Sequence, residues 1–373
     1  MKNLRHLLLL LLLLVVSAPM SAQEEKPQVD VKSILWGHIK DSYEWHVTNI
    51  GDKPIVIHLP VIVKTSNGWY FGCSSDFEEG HHGGGEAHAE GAAPVYRKGP
   101  EGTNLCIATS GPYENKIVEL MPDGTERRPF DLSITKTVVF LFVVAIVLLL
   151  CVLLPARWCK NHKVDDPAPK GFTGFMHMFI MYIYNDVIKS ILGDEAPKYA
   201  PYLLTCFFFI LTANVLGIIP FPPFGGNLTG NIACTFFLAL CTFIVVNVTG
   251  TKEYWKEIVW PEVPTWLKAY PVAIMPFIEF FGIFTKPFAL MIRLFANMMA
   301  GHAIALSFAC IIFIMWGINA FAGVSMTFVS VAMSVFMMLL EVLVCFIQAL
   351  VFTMLSAIFL SLAHVKEHEA HEA

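Results

Sequence analysis

Two hydrophobic periods divide the chain. Between residues 31 and 72, apolar and polar residues alternate in short runs. Tyr43-Glu-Trp-His-Val-Thr and Ile55-Val-Ile-His-Leu are separated by the turn signal Asn49-Ile-Gly-Asp-Lys-Pro. Period two bounded by turn residues predicts short, half-buried strands. From residue 134 onward the pattern becomes long apolar runs, at residues 134–154, 201–219 and 229–249. Each approaches the ~20 residues that a helix needs to cross a bilayer. Residues 271–363 form a much longer apolar stretch, which predicts two long helices joined near 317–323. Helices that long must tilt to fit a hydrocarbon core about 30 Å thick. Residues 172–192 mix Phe, Met, Ile and Tyr with His177, Asn185, Asp186 and Lys189. That mixture predicts an amphipathic helix on the membrane surface, ended by Gly193 and Pro197.

Residues 1–22 read as a secretory signal: Lys2 and Arg5, an apolar run over 7–16, then Ser17, Ala18, Ser21 and Ala22. The expected organisation is a signal peptide (1–22), an extracytoplasmic domain (23–130), a membrane domain (131–365) and a cytoplasmic tail (366–373). The fold class is an all-α membrane protein of five spans and an interfacial helix, with a small β-containing outer domain. Arg157, Lys160, Lys163 and Lys170 follow the first span, and Lys252, Lys256 and Lys268 follow the third. Positive charge marks the cytoplasmic side. The outer domain is therefore expected in the periplasm of a bacterial inner membrane, and the C-terminus inside.

Composition narrows the function. Of 373 residues, 55% are hydrophobic and 15% charged, with a net charge of -5. No basic stripe suggests nucleic acid. A Gly-Lys pair is absent, which removes a Walker A phosphate loop. Cys-x-x-Cys spacing is absent too, and no cofactor is expected. Residues 79–100, rich in Gly, His and Glu, read as a solvated loop. Its His81, His82, Glu86, His88 and Glu90 are spaced through glycines and define no ligand geometry. Cys73 and Cys106 precede the first span and could pair or stay free.

The few charges in the spans are ordered. Between residues 271 and 363 only Glu279, Lys286, Arg293 and Glu341 are formally charged. Glu279, Lys286 and Arg293 stand seven apart, which keeps them within about 40° of one helix face. Asn297 continues that side, and His302 lies about 14 Å past Arg293 along the axis, roughly half a turn away in angle. Glu341 and Gln348 are likewise seven apart, and Asn214 sits in the second span. Intramembrane ionisable groups mark pathways by default. Arginine stays charged, so Arg293 needs a carboxylate or water. His302 and Glu341 are expected to pair across two helices, leaving Arg293 to meet an acid from another subunit. Glu279 and Lys286 could instead be buried salt-bridge partners or snorkelling surface groups, and Asn214 a helix-tying group. A secondary transporter would also place charges here, but no inverted repeat is visible. A structural assembly protein would not need Arg293.

Pro276-Phe-Ile-Glu-Phe-Phe-Gly-Ile-Phe-Thr-Lys-Pro-Phe-Ala-Leu-Met-Ile-Arg-Leu-Phe-Ala-Asn-Met-Met-Ala-Gly-His302 resembles subunit a of the F-type ATP synthase membrane sector. Leu211-Thr-Ala-Asn-Val-Leu-Gly-Ile-Ile-Pro220 is similar to the family's Asn-containing span. The stretch from Gln348 to Ala363 is similar to its last helix. The resemblance covers roughly residues 130–365. It implies a non-catalytic, proton-translocating stator subunit that works against a ring of c subunits, with a b-subunit peripheral stalk as a further partner and no nucleotide bound. It makes Arg293 the essential arginine facing the ring carboxylate. His302, Glu341, Gln348 and Asn214 fall on the inlet, Glu279 with Lys286 on the outlet, and Asn297 is a further proton-pathway residue. Many bacterial members carry Glu and His at the positions of His302 and Glu341; the exchange seen here resembles the mitochondrial arrangement.

Overall fold

The computed structural model describes residues 41–364 except 51–52, 78–95, 101–102, 110–112, 122, 124, 163–166, 168, 220–223, 260–273 and 319. The signal segment, the His/Gly stretch from 78 to 95 and the tail after His364 lie outside the described residues.

The alternating segment folds as expected. β1 (Glu44–Ile50) and β2 (Lys53–His58) form an antiparallel hairpin around the turn signal. β3 (Pro60–Thr65) and β4 (Gly68–Cys73) form a second hairpin. β5 (Tyr96–Lys98), β6 (Leu105–Ala108), β7 (Ile117–Leu120) and β8 (Glu126–Arg127) make a four-stranded sheet, ordered β5-β6-β7-β8. β9 (Phe130–Asp131) returns to give the order β4-β3-β9. The loop expected over 79–100 is thus too long, because Tyr96–Lys98 pairs with β6. Tyr-Arg-Lys carries too little apolar signal to show as a strand on its own. Tyr43, Val61, Val63, Phe77, Leu105, Ile107 and Ile117 pack into one core. Cys73 and Cys106 are both free thiols.

Among the described residues, five helices are long and apolar enough to span a bilayer. α1 (Lys136–Asn161) follows β9 directly. α2 (Gly171–Tyr182) continues through a π-helical turn, Ile183–Lys189, and ends at Gly193, whose φ of 53° breaks the helix. Helical structure resumes at once in α3 (Ala196–Ile218), earlier than the apolar run suggested. Pro197 explains this, since its missing N–H costs nothing in a first turn. α4 (Ile232–Thr249) starts later than expected, because the Asn231 side chain caps it by accepting from the Ala233 amide at 3.0 Å. α5 (Lys252–Val259) is short, and α6 (Ile274–Ile318) and α7 (Ala320–Ala363) are the two long helices. α7 packs against both α6 and α3, while α4 covers α6. Leu203, Phe207, Ile210, Leu290, Leu294 and Phe352 lie fully or almost fully buried where these helices meet.

Candidate functional site

The site is built on the antiparallel pair of long helices. Asn297 Nδ2 of α6 donates to Gln348 Oε1 of α7 at 2.6 Å. One turn nearer the strand domain, a Cβ on Gly301 would lie 2.6 Å from Glu341 Oε1. The glycine therefore makes the room in which the carboxylate rests. A Cβ on Gly217 of α3 would lie 4.0 Å from His302 Nε2, so the imidazole reaches across to that helix. Asn214, three residues before Gly217, accepts a 2.6 Å hydrogen bond from Thr229 Oγ. Lys136, at the start of α1, lies within electrostatic range of His302.

This cluster has a common defect. Asn214 Nδ2, His302 Nε2, Glu341 Oε1 and Gln348 Nε2 are all buried, and none has a hydrogen-bond partner among the described residues. The expected His302–Glu341 pair is therefore not closed. Each side chain lies against a different glycine, Glu341 at Gly301 and His302 at Gly217. Orphaned buried polar atoms are costly and call for water or a transferable proton.

Arg293 lies one turn before Asn297, and its side chain is exposed on the bundle's outer surface. It forms no ion pair among the described residues. Ala289, Ala296 and Ala300, also exposed, flank it at helical spacing and form a strip of small residues. On the far side of Arg293 along α6, Lys286 lines a cleft with Thr242, Asn247, Tyr254 and Phe359. Its Nζ stands 5.7 Å above the Phe359 ring. Tyr254 donates to Asn247 Oδ1 at 3.5 Å. Burial, and then the charge of Glu279, raise the Tyr254 phenol above its ordinary pKa. Glu279 and Lys286 form no ion pair with each other among the described residues. Buried Leu290, Leu294 and Phe352 stand between the two groups in the sequence of α6 and α7.

The family model for the ATP synthase A chain matches residues 138–361, which contain all of these side chains except Lys136. The chain belongs to the ATP synthase A chain family. Curated relatives agree over most of the chain. An ATP synthase subunit a of Chlorobium phaeobacteroides (strain BS1) is 39% identical over 78% of this chain and 83% of its own length. An ATP synthase subunit a 2 of Prosthecochloris aestuarii is 37% identical over 82% and 90%. An ATP synthase subunit a of Myxococcus xanthus is 39% identical over 53% and 63%. Residues 34–132 match a separate family described only as a domain of unknown function (DUF8433).

Membership makes the chain a multi-pass membrane subunit of ATP synthase. Several residues of this family member escape a reading based on charge. Thr229, Gly217 and Gly301 bear no charge, and only tertiary contact gives them a part. The strip Ala289, Ala296 and Ala300 had a usable signal in its spacing around Arg293. Tyr254 and Asn247 lie in segments whose composition looks like ordinary helix ends.

Proposed function

We propose that this chain is the proton-translocating stator of a rotary ATP synthase, and that two offset polar paths lead protons to and from the ring carboxylate. The outer path runs past Asn214, His302, Glu341 and Gln348. The inner path leaves by the cleft at Lys286 and the surroundings of Glu279. The strand domain faces the periplasm of a bacterial inner membrane and the C-terminus the cytoplasm, as the basic linkers after α1 and α4 indicate. A ring of acidic c subunits docks on the Arg293 face, and the peripheral stalk holds the chain still.

The observation behind this reading is the exposed guanidinium of Arg293, unpaired among the described residues, between two polar regions. A fixed positive charge facing lipid is expensive unless a partner meets it. A ring carboxylate supplies that partner, and the alanine strip lets its helix approach closely. The guanidinium attracts a deprotonated carboxylate and not a neutral one. A carboxylate must therefore take up a proton from the outer path before it rotates into lipid. Arg293 and the layer of Leu290, Leu294 and Phe352 also block direct passage. Without that block, about 2.3 kcal/mol per 100 mV for each proton would be lost as leak. His302 suits relay work because imidazole both accepts and donates protons.

The test is Arg293→Ala in the assembled complex, read as ATP-driven acidification of inverted vesicles. Pumping is expected to disappear while ring and stator still co-purify. Unchanged pumping refutes the proposal.

A further inference from the structure

One face of the strand domain is covered by nothing among the described residues. In the β4-β3-β9 sheet, Val61 and Val63 point inward and are fully buried. The alternate positions point the other way. There stand Trp69, Phe71 and Phe130, exposed by 49%, 69% and 61%, with Leu132 just beyond at 55%. Trp69 and Phe71 stack with ring centroids 6.2 Å apart, and Phe130 meets Trp69 edge-on at 6.5 Å. A sheet with one buried face ordinarily turns polar residues to water. A contiguous aromatic surface instead marks an interaction site.

The position of this face is fixed by hydrogen bonds to the segment that enters the membrane. Leu132 N donates to Ile62 O at 2.9 Å, and Ile134 N to Pro60 O at 3.0 Å. Lys136 N donates to Ser42 O at 3.0 Å, and Thr137 N to Asp41 Oδ1 at 3.1 Å. The sheet therefore runs without slack into α1, whose Leu141, Phe142 and Ile146 are exposed apolar groups suited to lipid. Phe130 precedes the first residue of α1 by six positions. Six residues reach at most about 20 Å, even fully extended. The face thus stands within or next to the headgroup layer. Its chemistry fits that layer. Trp belongs to the aromatic belts of membrane interfaces. Lys64 holds its ammonium 5.9 Å from the Trp69 ring centroid, and the exposed Arg128 shares the parity of Phe130. Basic groups beside an aromatic centre complement anionic phospholipid headgroups.

We propose that the Trp69–Phe71–Phe130 face lies on the phospholipid headgroup interface at the strand-domain end of α1, and so sets the depth at which that helix enters the bilayer. The occupant is lipid rather than a protein partner, because the face is continuous with a lipid-facing helix and is tied to its first turn.

Lipid-quenching fluorescence tests this in the full-length protein, assembled and reconstituted into vesicles of phosphatidylcholine and phosphatidylglycerol. The chain has eight tryptophans, so the Trp69 signal is taken as the difference between wild type and Trp69→Phe. Exposure of Trp69 makes that conservative change safe for folding, and far-UV circular dichroism checks it. Lipids brominated near the headgroup are expected to quench the Trp69 component more than lipids brominated near the chain end. Anionic lipid is expected to strengthen the effect in wild type and less so in Lys64→Gln. A Trp69 component that brominated lipids leave untouched overturns the proposal. Quenching by aqueous iodide would then identify a solvent face, and shielding from both quenchers a protein partner.

Discussion

Single side chains decide how a proton meets this subunit. Glu341 has its place because residue 301 lacks a Cβ. Gly301→Ala would bring a methyl to 2.6 Å from the carboxylate oxygen and force the flexible end of Glu341 aside. Assembly should survive, since the displaced group is a side-chain tip. ATP-driven pumping should fall severalfold, measured by vesicle acidification against complex recovered. Pumping at the wild-type level would mean that the position of Glu341 is not used. In the strand domain, Tyr43 donates a hydrogen bond to Asp131 and lies in the core. Burial, reinforced by Asp131, raises its phenol far above the ordinary value. A raised pKa favours the protonated phenol in the folded state. Its stabilisation is complete below the unfolded tyrosine value of about 10 and is lost as pH rises beyond it. Hydrogen exchange of the strands between 41 and 131 should therefore accelerate above pH ~10. Tyr43→Phe should weaken protection at neutral pH by about 1 kcal/mol and flatten that alkaline loss.

Between elements, the contacts that matter are polar ties across helices. Thr229 precedes α4, yet it reaches back to Asn214 in the middle of the bundle. The link ties Thr229 to α3 and fixes which amide atom of Asn214 stays free among the described residues. Thr229→Val keeps the volume and removes the donor. Both polar atoms of Asn214 would then be unsatisfied, a cost of about 1–3 kcal/mol. A lower midpoint of thermal unfolding in the purified complex should report it. A midpoint equal to wild type would show that water replaces the threonine without cost. At this scale, the hydropathy runs predicted the helices well, because long apolar segments leave no alternative in lipid. Their ends were displaced by capping. Pro197 extended α3 and Asn231 shortened α4, both local effects that an apolar run does not register. β5 was hidden for a different reason, as Tyr96-Arg97-Lys98 becomes a strand only through pairing with β6.

For the whole molecule, function depends on keeping two polar regions apart while a charged group looks outward between them. Leu294, in the layer proposed to separate them, is fully buried. Leu294→Asn keeps a similar size but adds polar atoms, so passive proton leak through the vesicle membrane should rise. Leak equal to wild type would argue that Arg293 alone supplies the barrier. Much of this molecule follows from the sequence alone. Sparse charge in long apolar runs specifies a membrane helix bundle, and the spacing of Glu279, Lys286 and Arg293 places them near one face, because an α-helix has a fixed pitch. Only the tertiary structure decided the rest. It turned Arg293 outward, left His302 and Glu341 unpaired against separate glycines, and laid an aromatic sheet face beside the first span. Those outcomes depend on where backbones approach each other, and helix contacts between residues distant in sequence leave no periodic trace in the chain.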